Sequence, residues 1–138
     1  MIEGLTNGDA LPVLERLLQF SGARHRVLSH NVVNADTPGF RMLDLSVEQF
    51  QQSLREAIDA RREAHGAAGG ALATEPASSG AVLEPTELGT GLLYHDRGDR
   101  DPERLMQDLV ENFYVFRAAA DLLRSRIGLI EAAIRERP

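Results

Sequence analysis

Apolar residues recur at helical spacing in three stretches of the chain. In the first, Leu14, Leu17, Leu18, Val27, Leu28 and Val32 predict a helix over 11–34. Pro12 suits its first helical position, and Gly22 interrupts it at a cost of about 1 kcal/mol relative to alanine. Arg16, Arg24, His25 and Arg26 lie mostly off the stripe. In the second stretch, Val47, Phe50, Leu54 and Ile58 share one face and predict a helix over 47–64. Asp44 and Ser46 are candidate N-caps, Ser46 with Gln49 makes a capping box, and Gly66 is the expected C-cap.

The third stretch is the most regular. Asp101 suits an N-cap, Pro102 the first helical position and Glu103 the first turn. Met106, Leu109, Phe113, Phe116, Ala120, Leu123, Ile127, Ile130 and Ile134 then alternate spacings of three and four. That is a heptad seam, and it predicts a helix over 102–136 that pairs with another helix. At about 1.5 Å per residue it would be roughly 50 Å long. Val115, Leu122 and Leu129 repeat every seven residues on a second stripe, roughly 100° from the seam. One partner helix cannot cover both stripes, so the second is a candidate contact between subunits.

Between the first two helices lies Asn31-Val-Val-Asn34-Ala35-Asp36-Thr37-Pro38-Gly39-Phe40, a stop signal. Pro38 lacks an N–H and pushes Thr37 out of the α region. Gly39 suits the φ > 0 position of a type II turn. Asn34 and Asp36 are suited to Asx-type bonds to nearby backbone. The turn spans 35–45. Residues 66–101 have another character: seven of the twelve glycines fall between Gly66 and Gly98, with Pro76 and Pro85 among them. They predict a long Gly/Ala/Pro-rich loop, with a short β element near Leu92-Leu93-Tyr94. A loop of this length marks a functional segment or one ordered by a partner.

The expected fold is mainly α: a single domain over 1–138 in which long N- and C-terminal helices form an antiparallel, coiled-coil-like pair, beside a shorter second helix and the loop.

The Asn31–Phe40 string resembles the N-terminal signature of flagellar basal-body rod proteins, and its Ala-Asp-Thr-Pro-Gly form is most similar to those of the proximal rod. The C-terminal heptad helix, with Asn112-Phe113-Tyr114 and an isoleucine-rich end, is similar to the same family. The resemblance covers about 10–63 and 101–136. His30 departs from it, standing where Asn or Ser is usual, and so does Arg97-Gly98-Asp99-Arg100-Asp101 ahead of the last helix. The resemblance implies a structural subunit that polymerises through its terminal helices to transmit torque. It implies further copies of itself, other rod proteins and the MS-ring adaptor FliE as partners, export by the flagellar type III apparatus and a place in the basal body, in the periplasmic space. No catalytic residue and no cofactor is implied. A soluble coiled-coil binding module, such as an export chaperone or regulator, is the alternative; it accounts for the seam but not for the Asn31–Phe40 string.

Composition narrows the chemistry. All fifteen basic residues are arginine, so no Schiff-base or P-loop lysine is present. The chain has no cysteine, which removes disulfides, thiolate catalysis and cysteine zinc sites. Net charge is −6 with basic residues spread along the chain, unlike a nucleic-acid footprint. No apolar run approaches the roughly 20 residues of a membrane span. The first basic residue is Arg16, so a cleavable signal peptide is not expected. His25 and His30 are five apart, off the i, i+4 spacing of a zinc pair. Asp96, Asp99 and Asp101 do not match a calcium loop, and Gly66-Ala-Ala-Gly69-Gly70 lacks the strand and lysine of a phosphate loop.

Overall fold

A computed structural model describes residues 10–67, 85–87 and 101–135. The architecture is mainly α. Helix α1 spans Ala10–Asn34, α2 Val47–Ala67 and α3 Pro102–Arg135, with two-residue strands β1 at Leu43–Asp44 and β2 at Thr86–Glu87. The chain divides into two compact units, Met1–Asp44 with Glu87–Pro138, and Leu45–Thr86.

Local chemistry sets the helix ends. α1 begins at Ala10, so Pro12 lies inside the first turn, where N–H groups have no helical partner to lose. At its far end, Thr37 N–H donates to Asn34 O at 2.9 Å and Phe40 N–H to Thr37 O at 3.1 Å. The second bond closes a turn with Pro38 and Gly39 at its centre, and Gly39 has φ 75°. Proline first and a positive-φ glycine second are the arrangement of a type II turn. The Asn34 side chain donates to His30 O at 2.8 Å, back into its own helix and not forward into an Asx turn. α3 opens as expected: Arg104 N–H donates to Asp101 Oδ1 at 3.2 Å, ahead of Pro102.

In the first unit, α1 and α3 run antiparallel. Ser21 meets Asn112, Arg24 meets Asp108, and Leu28 packs with Leu105, so the α3 partner number falls as the α1 number rises. Leu28, Met42 and Leu105 form the buried apolar cluster, and Phe40 packs on it from the turn. β1 pairs with β2, whose Glu87 belongs to the same unit.

The second unit holds α2. Ser46 caps it, with Gln49 N–H donating to Ser46 Oγ at 3.2 Å. The helix continues through Gly66 to Ala67, so Gly66 sits in the last turn and is not the C-cap. The expected β element at Leu92–Tyr94 and most of the 66–101 loop lie outside the described residues. The strands that are described, at 43–44 and 86–87, carry no extended apolar alternation, and two-residue pairings are too short to leave a periodic signal.

Candidate functional site

The features of the first unit that bear on function are a polar clamp around the turn and an apolar surface along α3.

The clamp starts with Asn31, which is fully buried. Its Nδ2 donates to Leu43 O at 2.6 Å, and its Oδ1 accepts from Leu43 N–H at 3.1 Å. One side-chain amide thus satisfies both backbone groups of Leu43, as a neighbouring strand would. The chain that leaves α1 through the Pro38–Gly39 turn is thereby pinned back against the helix it came from. The rings of His30 and Phe40 lie 5.6 Å apart and tilted by 55°, within the range of a favourable aromatic pair.

Two turns further back along α1, Arg24 makes a two-pronged contact with Asp44. Nε donates to Oδ1 at 2.9 Å and an Nη to Oδ2 at 2.7 Å. The same Nη lies 4.0 Å from Asp108 Oδ1 on α3. Arg24 is nearly buried, which corrects the expectation that it lies off the packed stripe. A single guanidinium on α1 joins β1 and α3. The bond to Asp44 raises the Arg24 pKa further above its ordinary value. Asp108 is pushed up from the usual carboxylate range, first by burial and then by the nearby Asp44 charge, against the pull of Arg24.

Asn112 is a second buried amide, 2% exposed. Its Nδ2 donates to Ser21 O at 2.9 Å. Ser21 Oγ donates to Leu17 O at 2.7 Å, with Leu18 O at 3.2 Å, so its hydroxyl is satisfied without leaving α1. The middle of the α1–α3 contact is therefore polar and hydrogen-bonded, and the apolar cluster sits at the turn end.

This geometry corrects the expected seam. The buried residues of α3 are Leu105, Asn112 and Ala119, a heptad line that apolar counting passes over because its centre is an asparagine. Of the expected seam, Leu109, Ala120, Leu123 and Ile130 are half-buried, whereas Met106, Phe113, Phe116, Ile127 and Ile134 are exposed. Phe113 is 48% and Ile134 69% exposed. The physical cause is that Asn112 and Asp108 each meet a polar group of α1, which sets the rotation of α3 about its axis. The small side chains at Asn112 and Ala119 also let α1 approach where Phe113 would hold it off.

Val115, Leu122 and Leu129 are exposed as well. At 100° per residue, the position after a buried residue lies 100° to one side of it, and the position three further on about 60° to the other. Phe113 and Val115 thus flank Asn112, and Ala120 and Leu122 flank Ala119. The two apolar stripes border the α1 contact on opposite sides. Tyr114 stands beside Phe113, ring centroids 5.9 Å apart.

The helices also differ in reach. Each step back along α1 from Leu28 is matched by a step forward along α3 from Leu105, so Ala10, the first described residue of α1, falls opposite Leu123. The twelve residues from Arg124 to Arg135 run on beyond it, about 18 Å at 1.5 Å per residue. Ile127, Leu129 and Ile134 are on this extension.

Within the motif string, the structure brings Asn31 and Phe40 into packed positions, while Asp36, Thr37, Pro38 and Gly39 are exposed and Asn34 and Ala35 half-exposed. Sequence reasoning missed Ser21, Arg24, Asp44 and Asp108. Polar side chains on helices give no periodic signal, and only a bonded partner distant in the chain distinguishes them from solvated ones. Among the described residues, no group of three or more His, Cys, Asp or Glu side chains could hold a metal ion. No described helix is long and apolar enough to cross a membrane. No protein-family model matches the chain, and comparison with curated proteins returns no relative.

Proposed function

We propose that this chain is a structural subunit of the proximal rod of the bacterial flagellar basal body, closest in kind to the proximal rod protein FlgB. The observation that carries the reading is the Asn31–Phe40 string, in which Asn31, Pro38, Gly39 and Phe40 each have a distinct structural use. Asn31 clamps Leu43, Pro38 and Gly39 turn the chain, and Phe40 packs on the core. A helix that simply ends in Asn, Pro and Gly needs no buried amide twelve residues ahead of the strand it holds.

The surface of α3 supports the same reading. Met106, Val110, Phe113, Tyr114, Val115, Phe116, Leu122, Ile127, Leu129 and Ile134 are all exposed, far more apolar surface along one helix than scattered surface residues explain. In a helical tube of like subunits, both flanks would be covered by neighbours. The role is mechanical and assigns no catalytic step. Its partners are further copies of the chain, the other rod proteins and the adaptor FliE, with delivery to the periplasmic space by the flagellar type III apparatus.

Deleting the chain from its host and examining basal bodies tests the reading. The expected result is loss of flagella with rod components missing. Intact hook-basal bodies would overturn it, and would turn attention to a soluble coiled-coil module whose α3 surface is covered in a small oligomer.

A further inference from the structure

The apolar pattern of α3 does not by itself say where α3 stops sliding along α1. Leu109, Phe116, Leu123 and Ile130 follow one another every seven residues beside the buried line. Sliding α3 by one heptad replaces Leu109 with Phe116 and Phe116 with Leu123, apolar for apolar. Such degenerate heptads are resolved by a polar residue that is satisfied in one alignment only.

We infer that Asn112 is a register lock for the α1–α3 pair, and that it fixes how far α3 projects past α1. In the observed alignment Asn112 finds Ser21 O at 2.9 Å, in a buried position. Arg24 finds Asp108 one turn away. Slide α3 one heptad in one direction and Ser21 O faces Ala119, Arg24 faces Val115, and the Asn112 amide enters the apolar cluster at Leu28. Slide it the other way and Arg24 faces Asp101, so that charge pairing survives, but Ser21 O faces Leu105 and the Asn112 amide faces Leu14. In both alternatives Asn112 faces a leucine, whose bulk occupies the space that the small, buried Ser21 leaves beside its carbonyl, so the amide loses its close approach to the α1 backbone, and a buried unpaired amide disfavours each of them. One heptad changes the projection of α3 by about 10 Å, which would move Ile127, Leu129 and Ile134 relative to any surface they meet. The inference concerns the chain's own fold and stands apart from the proposed function.

The chain has no cysteine, so paired spin labels are introduced cleanly at Gln19→Cys and Glu131→Cys, both exposed positions. Double electron–electron resonance should give one distance distribution, for a separation along the helix axis of about 26 Å at 1.5 Å per residue. Asn112→Leu should add a second population displaced by about 10 Å, one heptad. Moving the amide along by seven, in the double variant Asn112→Ala with Ala119→Asn, should shift the main distance shorter by about the same 10 Å. An unshifted single distribution in the double variant overturns the lock, whether or not Asn112→Leu folds. Loss of helical circular dichroism in the double variant also overturns it, because an amide restored one heptad on should re-form the bond to Ser21 O.

Discussion

Asn31 and Leu43 hold each other at both backbone groups of Leu43: the Asn31 amide donates to its carbonyl at 2.6 Å and accepts from its N–H at 3.1 Å. Asn31 is fully buried. Asn31→Leu strands the part-buried N–H and C=O of Leu43, at up to about 1–3 kcal/mol each. The expected loss in urea denaturation is about 2–4 kcal/mol. Asn31→Asp keeps the acceptor but sets a carboxylate against Leu43 O, and should not rescue. A loss within error of zero for Asn31→Leu would mean that the clamp adds nothing to stability.

Gly39 separates space from backbone. No atom lies within 4 Å of where its Cβ would sit, yet its φ is 75°. Substitutions there should be graded by tolerance of the left-handed region alone. Gly39→Val should cost about 1–2 kcal/mol, and Gly39→Asn distinctly less, since asparagine visits that region readily. Equal losses for the two would point to steric crowding instead. Under the proposed function, motility should fall in the same order.

The two carboxylates near Arg24 should respond with opposite signs. Asp44 takes both prongs of the guanidinium, so Asp44→Ala leaves a nearly buried charge without its main partner, at a cost of about 3 kcal/mol. Asp108 has its pKa raised from 3.8, by burial first and by Asp44 next, over the opposing effect of Arg24. Its folded form therefore binds the proton more tightly than the unfolded chain does. The stability this contributes is full below pH 3.8 and is lost as pH rises through the raised value. At pH 7 the charge sits in a site that disfavours it relative to the unfolded chain, so Asp108→Asn should raise the melting temperature there. The gain should vanish near pH 3, where wild-type Asp108 is itself neutral. A variant less stable than wild type at pH 7 would show that the ion pair with Arg24 outweighs burial.

On α3, charge should be tolerated where the heptad seam alone would forbid it. Ile127 is 45% exposed, so Ile127→Asp should leave the fold intact to within about 0.5 kcal/mol. The same holds for Leu122→Asp with Leu129→Asp, at positions 57% and 47% exposed. In contrast, Ala119→Asp places a carboxylate at a position 1% exposed, in the α1 contact, and should unfold the pair. Urea denaturation of the purified variants separates these outcomes. Under the proposed function, the Leu122/Leu129 double variant should still be secreted but fail to build rods. Normal basal bodies would remove that stripe from the subunit contacts.

The sequence alone determined what depends on neighbours a few residues away. Asp101 and Pro102 start α3, Ser46 caps α2, and Pro38 with Gly39 turns the chain; each acts through bonds spanning three or four residues, so the residue type reveals the role. The presence of three helices and the antiparallel pairing of the outer two followed from the same local signals and from apolar periodicity. Which face of α3 is buried was decided only in the tertiary structure. Periodicity counts apolar residues and cannot see that Asn112 will find Ser21 O, ninety-one residues back, or that Arg24 will sit between Asp44 and Asp108. A polar group can be buried only where a partner meets it, and that partner comes from another element, so the rotation of α3 and its two exposed apolar flanks arise from the pairing and not from either helix by itself.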